Sequence, residues 1–369
     1  MTIPEIEAGT MNGIASRMLA VALFAVFEIP EPRQSAGAQE FSALPRQVAE
    51  SERDERLVEL GRLLFFDPRL SGDTSIACAD CHEPSSGWAY PQDLSKGYPM
   101  TANWRNSPTV VNSGFLKRLF WDGRASSLEE QARAAMTSPI EGNGHPALMI
   151  ARLQEIPEYM ERIGKLFNST RLAEADIWRA IAAFERTLVD TDTPFDRFLR
   201  GEHDALSPAA RRGMKVFSGK ANCTSCHNGA LLTDEAFHVT SVPDTGQLAA
   251  SGPLQVTFRF KVLDALGSAM ALSEDPGRFL VTRNLADRGA FRTAPLRHTR
   301  YTAPYMHNGA FWTLREVVDF YNAPQHATGS ELAPIDLTEA EVKDLVAFLE
   351  CLSGPQITIE RPSLPSYRE

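Results

Sequence analysis

Cys78-Ala79-Asp80-Cys81-His82 and Cys223-Thr224-Ser225-Cys226-His227 decide how the rest of this 369-residue chain is read. In each string two thiols stand three positions apart on one helical turn, within reach of the two vinyl groups of one porphyrin. The histidine that follows can swing under the iron as proximal ligand, so the spacing reads as c-type haem attachment. Zinc is the competing use of paired C-x-x-C strings, but these pairs lie much further apart than a zinc ribbon requires. A thioredoxin-like motif would need a βαβ pattern around it, and neither string has one. The expectation is two covalently bound haem c groups, attached at Cys78, Cys81, Cys223 and Cys226, with His82 and His227 as axial iron ligands. Cys351, on the apolar face of a terminal helix, reads as a buried free thiol.

Working outward, a repeat surrounds the two strings. Helical stretches precede them, Glu55 to Phe66 and Pro208 to Phe217, each carrying a glycine and ending in phenylalanine. Much further on, Ile177 to Leu188 and Val342 to Leu352 place apolar residues at helical spacing. A helix before the haem and a closing helix after it is the plan of a c-type cytochrome. The predicted fold class is therefore mainly α, two cytochrome c-like haem domains packed together with long loops. The expected domains are 51–195 and 205–355, meeting near residues 190 to 207, with 356–369 as a C-terminal tail. Residues 83–120 and 229–300 are rich in Gly, Pro, Ser and Asn and read as loops over the haem faces, with short strands such as Val256 to Val262.

A hydrophobic content of 43% and a charged content of 23% suit a globular chain of two domains. The net charge of -10 argues against a nucleic-acid partner, which would demand a basic face. A basic or redox protein partner fits better. Residues 1–38 read as an export signal: Arg17 precedes the apolar run Met18 to Phe27, and Ser35-Ala36-Gly37-Ala38 offers small residues for cleavage near Gln39. Glu5 and Glu7 sit poorly in such a segment, which makes Met11 an alternative start, and an uncleaved amphipathic or disordered leader is the alternative reading. The apolar run is too short to span a bilayer, so no stable membrane span is expected. Residues 39–50 read as a flexible lead-in, and the expected compartment is the periplasm.

Beyond about residue 50 the chain resembles the bacterial dihaem cytochrome c peroxidases and their relatives of the MauG type. The resemblance rests on Arg105-Asn-Ser-Pro-Thr-Val-Val-Asn112, Phe120-Trp-Asp-Gly-Arg124, Leu128-Glu-Glu-Gln-Ala132, Ser138-Pro-Ile-Glu141, Asp287-Arg-Gly-Ala-Phe-Arg-Thr-Ala-Pro295 and Thr302-Ala-Pro-Tyr-Met-His-Asn-Gly309. It implies that Trp121 lies between the haems as an electron or hole relay, and that Gln131 and Glu141 sit over the peroxide-reactive haem. Cleaving the O–O bond requires a proton to move from one peroxide oxygen to the other, and a carboxylate can shuttle it. Spacing alone would leave Trp121 a core aromatic, with Gln131 and Glu141 on a solvated helix face. By the same resemblance Asn106, with the backbone carbonyls of Thr302 and Pro304, matches a calcium site, an all-oxygen set suited to a hard cation. The stretch from about 246 to 271 is an insertion relative to the family pattern.

Two positions bear on the branch of the family. Where ordinary peroxidases of the family place a methionine on the second haem, fourteen residues after the histidine at position 307, this chain has Tyr321, the ligand type that MauG uses. A phenolate favours ferric over ferrous iron, and a thioether does the opposite. The alternative for Tyr321 is a packed phenol with its hydroxyl hydrogen-bonded. Second, no histidine lies between Glu83 and Arg105, where ordinary peroxidases often carry a removable distal ligand, so the first haem is expected to be open unless Met100 or Tyr98 closes it. His145, His203, His238, His298 and His326 are expected in structural or surface roles, and His307 in hydrogen-bonded support of the second haem.

The resemblance thus implies a MauG-like enzyme in which hydrogen peroxide reacts at the iron on His82. The resulting high-valent dihaem state, shared through Trp121 with the iron between His227 and Tyr321, oxidises side chains of a partner protein. One alternative is a cytochrome c peroxidase that draws electrons from a small cytochrome or cupredoxin. The other is an electron-transfer cytochrome without turnover, which would need two six-coordinate irons. MauG relays holes through a surface tryptophan two positions before its second haem string; here that position is Ala221, which puts the particular MauG substrate in doubt.

Overall fold

The computed structural model describes residues 41–45, 53–246, 251–267, 272, 274–322 and 330–367. The expected export segment 1–38, most of the lead-in, and His326 lie outside the described residues. In the N-terminal half the chain forms α1 (Glu55–Phe65), the short α2 (Cys78–Cys81), α3 (Leu128–Thr137), α4 (Pro146–Gln154), α5 (Pro157–Phe167) and α6 (Glu174–Glu185). Then come α7 (Pro194–Leu199), α8 (Pro208–Ser218), α9 (Gly252–Ala265), α10 (Phe279–Thr282), α11 (Leu314–Asn322) and α12 (Glu339–Glu350). Sheet among the described residues is slight: β1 (Lys96–Gly97) pairs antiparallel with β2 (Thr101–Ala102), and β3 (Phe237–His238) with β4 (Phe291–Arg292). The chain is mainly helical, as the repeat predicts.

Each half is built on one close crossing of two helices. On α1 the buried face is Leu60, Gly61, Leu63, Leu64 and Phe65. A Cβ at Gly61 would collide with the Ala180 carbonyl of α6, so only glycine lets the two backbones meet there. One turn on, the rings of Phe65 and Phe184 lie 5.3 Å apart. The second half repeats this arrangement. A Cβ at Gly213 of α8 would collide with the Asp344 carbonyl of α12, and Phe217 and Phe348 again lie 5.3 Å apart. Two apolar cores result, one on α1 and α6, the other on α8 and α12.

Both closing helices begin three residues before their first expected apolar position. Their first turns carry Glu174 and Asp176, and Glu339 and Glu341, where carboxylates favour the positive end of the helix dipole. At α12, Thr338 and Glu341 also form a reciprocal capping box. That helix stops at Glu350, so Cys351 is the residue just past it, half-buried against the C-terminal core.

Val256 to Val262 is not a strand: it lies inside α9. The alternation Val-Thr-Phe-Arg-Phe-Lys-Val imitates a strand pattern, but the buried positions are Gln255, Arg259 and Leu263, four apart. Tertiary hydrogen bonds to a polar face override the local pattern.

The chain ends cross over. Phe41 packs edge-on against Phe195 at 5.3 Å, and Leu44 N donates to Asp196 Oδ1 at 3.1 Å, so the described part of the lead-in is docked on the C-terminal core. Phe195 itself is fully buried in that core. At the other end, Ile357, Ile359 and Leu364 pack on the N-terminal core, and Trp88 Nε1 donates to the Ile357 carbonyl at 2.8 Å. The described residues form one compact unit. No described helix is long and apolar enough to cross a membrane.

Candidate functional site

One cavity of about 840 Å³ is lined by both C-x-x-C-H strings and by residues of both halves. In the first, Cys78 opens α2 and His82 is the residue that ends it, so the turn carries both thiols and hands the imidazole to the cavity. His82 Nδ1 faces the Trp88 carbonyl at 3.3 Å, and His227 Nδ1 faces the Leu232 carbonyl at 2.9 Å. With the Nδ1 proton given to a carbonyl, Nε2 keeps a lone pair for iron. Burial pushes His82 down to about 4 and lowers His227 as well, so both rings stay neutral, the form that binds a metal. Burial pushes the Cys81 and Cys223 thiols up to about 12. Apolar walls such as Val110, Leu128 and Met136 on one side, and Val318, Leu345 and Leu349 on the other, complete a place that fits two flat, largely apolar haems.

On the first side, Gln131 of α3 and Glu141, just past that helix, line the cavity. The Ser127 hydroxyl accepts from Glu130 N and starts α3, which sets Gln131 one turn in. Burial raises the Glu141 carboxyl above its ordinary value, and the Arg124 charge opposes the rise. Arg124 Nη2 lies 3.3 Å from Glu141 Oε1, while its Nη1 holds Asp122 at 2.9 Å. Asp122 in turn accepts from Arg105 at 2.7 Å, and Arg105 is paired on its other edge with Asp275 at 2.6 Å. Neither Tyr98 nor Met100 lines the cavity, and Met100 is 57% exposed.

Between the two strings, Trp121 lines the same cavity, its Nε1 donating to the Asn106 carbonyl at 2.8 Å. His307 lies edge-on to Trp121 at 6.4 Å and stacked on Phe291 at 3.8 Å, and burial pushes its ring down to about 4. The main-chain carbonyl of His307 accepts from Asn106 N at 2.7 Å, which ties the two halves together. Asn106, Thr302 and Pro304 all reach the cavity. The Asn106 amide nitrogen donates to the Tyr90 and Gln92 carbonyls at 3.3 and 2.7 Å, which leaves its side-chain oxygen as the acceptor a hard cation would use.

On the second side, Tyr321 of α11 lines the cavity with Cys223, Cys226 and His227, and burial raises its phenol. Met306 lines the cavity as well. Of the other histidines among the described residues, His238 also lines the cavity, while His145, His203 and His298 lie outside it. His145 precedes α4, His203 is exposed, and buried His298 has Nδ1 at 2.8 Å from Asp190. His238 sits between Asp234 and Glu331 at 3.1 and 2.8 Å.

Sequence reading missed the chain of charges from Glu141 to Asp275. Arg124 and Asp122 fall inside the Phe120–Arg124 string, but Asp275 joins Arg105 across 170 residues, with no local signal. It also missed Glu185, a cavity-lining carboxyl that is 3% exposed and pushed up to about 8 by burial.

Residues 55–204 match the family model described as di-haem cytochrome c peroxidase. The chain is similar to cytochrome-c peroxidase IdrP1 of Pseudomonas sp. (strain SCT), 42% identical over 84% of this chain and 84% of that one. It is also similar to the methylamine utilization protein MauG of Methylorubrum extorquens, 35% identical over 97% of this chain and 92% of that one. A solved MauG-like protein associated with microbial copper homeostasis superposes with a TM-score of 0.69 at 29% identity, covering 84% of this chain and 94% of that one. The family is described as di-haem, and two C-x-x-C-H strings around one shared cavity are what two covalently held haems need. This chain therefore belongs to the di-haem cytochrome c peroxidase family.

Proposed function

We propose that this protein is an exported, periplasmic MauG-like oxidase that uses hydrogen peroxide to oxidise side chains of a partner protein. The observation that carries the reading is Tyr321, which lines the cavity with Cys223, Cys226 and His227, where its phenolate would serve as a ligand of the second iron. A phenolate there holds iron ferric and makes uptake of electrons from a soluble donor harder; a thioether would ease it. When bound, the haems supply the redox-active irons at which peroxide is split and its two oxidising equivalents are held.

The chain's own groups do the rest. His82 and His227 would hold the two irons, and Cys78, Cys81, Cys223 and Cys226 would attach the haems covalently. Glu141 takes the proton from the inner oxygen of peroxide and returns it to the outer oxygen, which leaves as water. The Gln131 amide orients the peroxide beside it. Trp121 carries charge between the two sides, held in place by its hydrogen bond to the Asn106 carbonyl. A calcium ion on Asn106, Thr302 and Pro304 would stiffen that junction.

The second reading, a cytochrome c peroxidase fed by a small cytochrome or cupredoxin, is favoured by relatives of that name, including one 36% identical from Pseudomonas aeruginosa. Electron paramagnetic resonance of the ferric protein tests the choice of ligand. The expected spectrum has one high-spin haem open to ligands and one low-spin haem whose signal changes in both Tyr321→Phe and Tyr321→Met, but not in Met306→Leu. An unchanged low-spin signal in both Tyr321 variants removes the phenolate, and the MauG-like reading with it.

A further inference from the structure

The insertion at about 246–271 carries α9, and α9 is an unusual covering helix. A helix laid on a surface normally turns an apolar stripe inward. This one buries Gln255 and Arg259 and leaves Leu254 and Phe260 47% and 56% exposed. Gln255 is fully buried, and its Nε2 donates to two main-chain oxygens at once: Tyr98 O at 2.8 Å and Ile140 O at 2.9 Å. The Ile140 carbonyl also accepts from Tyr98 N at 3.0 Å, so three groups converge on one point. Gly97 leaves the space for them, since a Cβ there would stand 2.7 Å from both Gln255 Nε2 and Ile140 O. One turn further along α9, the Arg259 guanidinium lies 5.2 Å over the Trp104 ring and donates to the Glu274 carbonyl at 2.9 Å.

The two segments that Gln255 holds run beside the first-string side of the cavity, where Ser95, Lys96, Asn103 and Glu141 line it. Ile140 directly precedes Glu141, and the 96–103 loop carries Lys96 and Asn103. Two segments far apart in sequence thus supply the acid and its neighbour, and each reaches Gln255 through a main-chain carbonyl. Without the Gln255 amide the Tyr98 carbonyl loses this donor and the Ile140 carbonyl keeps only Tyr98 N, which loosens the tie between the two segments.

We propose that Gln255 is a positioning residue for Glu141: the α9 amide clamps the Ile140–Glu141 segment against the 96–103 loop and so sets where the carboxyl meets peroxide. The inference rests on the reading of Glu141 as the proton shuttle. It gives the insertion a role in peroxide cleavage although no α9 side chain lines the cavity.

The test is a double-mutant cycle on the two-haem protein, following the bimolecular reaction with hydrogen peroxide by stopped flow. Gln255→Met keeps the bulk and removes the donor; it is expected to slow the reaction on the order of tenfold to a hundredfold, the scale of a misplaced catalytic group, and to move the acid limb of the pH profile. In a Glu141→Gln background the same change is expected to cost less than about twofold, because residues acting as a unit are not additive. Gly97→Ala, which pushes on the same junction from the other side, is expected to behave like Gln255→Met and serves if that variant folds poorly. Equal losses in both backgrounds, or a wild-type rate and pH profile in both Gln255→Met and Gly97→Ala, would overturn the clamp while leaving the Glu141 assignment intact. A Glu141→Gln protein as fast as wild type would overturn that assignment and the clamp together.

Discussion

Arg124 holds Glu141 and Asp122 with the same guanidinium, at 3.3 and 2.9 Å, so the carboxyl proposed as the proton shuttle is joined to a chain of charges that runs on to Arg105 and Asp275. Burial raises the Glu141 carboxyl and Arg124 pulls it back down. A proton shuttle must begin ionised, so the peroxide reaction should fall away as pH drops through the Glu141 pKa. Arg124→Met removes the opposing charge, and the acid limb of the rate profile should move to higher pH. Glu141→Gln should abolish that limb and slow the reaction by about 10²–10⁴, the usual worth of general acid–base catalysis. Stopped-flow rates against pH on the two variants check both outcomes.

The next link of the network should show in stability. Arg105 is buried between Asp122 at 2.7 Å and Asp275 at 2.6 Å, and it holds the Asp275 carboxyl far below its ordinary value of 3.8. Arg105→Met strands Asp275 and leaves Asp122 with Arg124 alone, at a cost of about 3–5 kcal/mol. Because the folded Asp275 has a lowered pKa, its contribution is complete above the unfolded value near 3.8 and is lost as pH falls toward the folded one. The deficit of Arg105→Met should therefore be largest at neutral pH and shrink below about pH 4. Denaturant melts across that range measure it.

The twin helix crossings make a matched pair of predictions. Gly61→Ala and Gly213→Ala should each destabilise by about 1–3 kcal/mol through overpacking, because the atom met is a backbone carbonyl that has nowhere to go. Gly164→Ala in α5 is the control: the nearest atom is Ser169 O at 3.7 Å, so replacing a helical glycine there should stabilise by about 0.4–1 kcal/mol. Thermal melts of the three variants give the comparison. Gly61 and Gly213 behaving like Gly164 would mean that the helices do not cross as closely as described.

These crossings also show what a sequence can reveal. Gly61 with Phe65 and Gly213 with Phe217 recur before the two haem strings, and Phe184 and Phe348 recur in the closing helices, so the repeat exposes both cores. That Trp121, Gln131 and Glu141 share one cavity was readable because short, contiguous strings carry them. The role of α9 was not, because Gln255 binds backbone carbonyls, which leave no trace in residue type, and its neighbours alternate like a strand. The crossed termini were hidden for a similar reason. Trp88 meets the Ile357 carbonyl across 269 residues, and nothing local to either residue announces the other.

The attachment chemistry has its own direct check. Intact mass and alkaline-pyridine spectra should show two haem additions per chain, and thiol titration of the unfolded holoprotein should find one free cysteine, Cys351. Cys78→Ser with Cys81→Ser should remove one haem, and Cys223→Ser with Cys226→Ser the other. A single haem on the wild-type chain would contradict the assignment of both strings.

The central claim concerns where the oxidising equivalents go, and Tyr321 is its basis. Steady-state peroxide consumption is measured with reduced small cytochrome c or cupredoxin donors, beside mass spectrometry of partner proteins encoded near this gene after exposure to peroxide. The account predicts slow turnover with the soluble donors and a peroxide-dependent mass change on a partner protein. Rapid turnover with a soluble donor, and no mass change on any partner, would contradict it and make the protein a peroxide-reducing cytochrome c peroxidase.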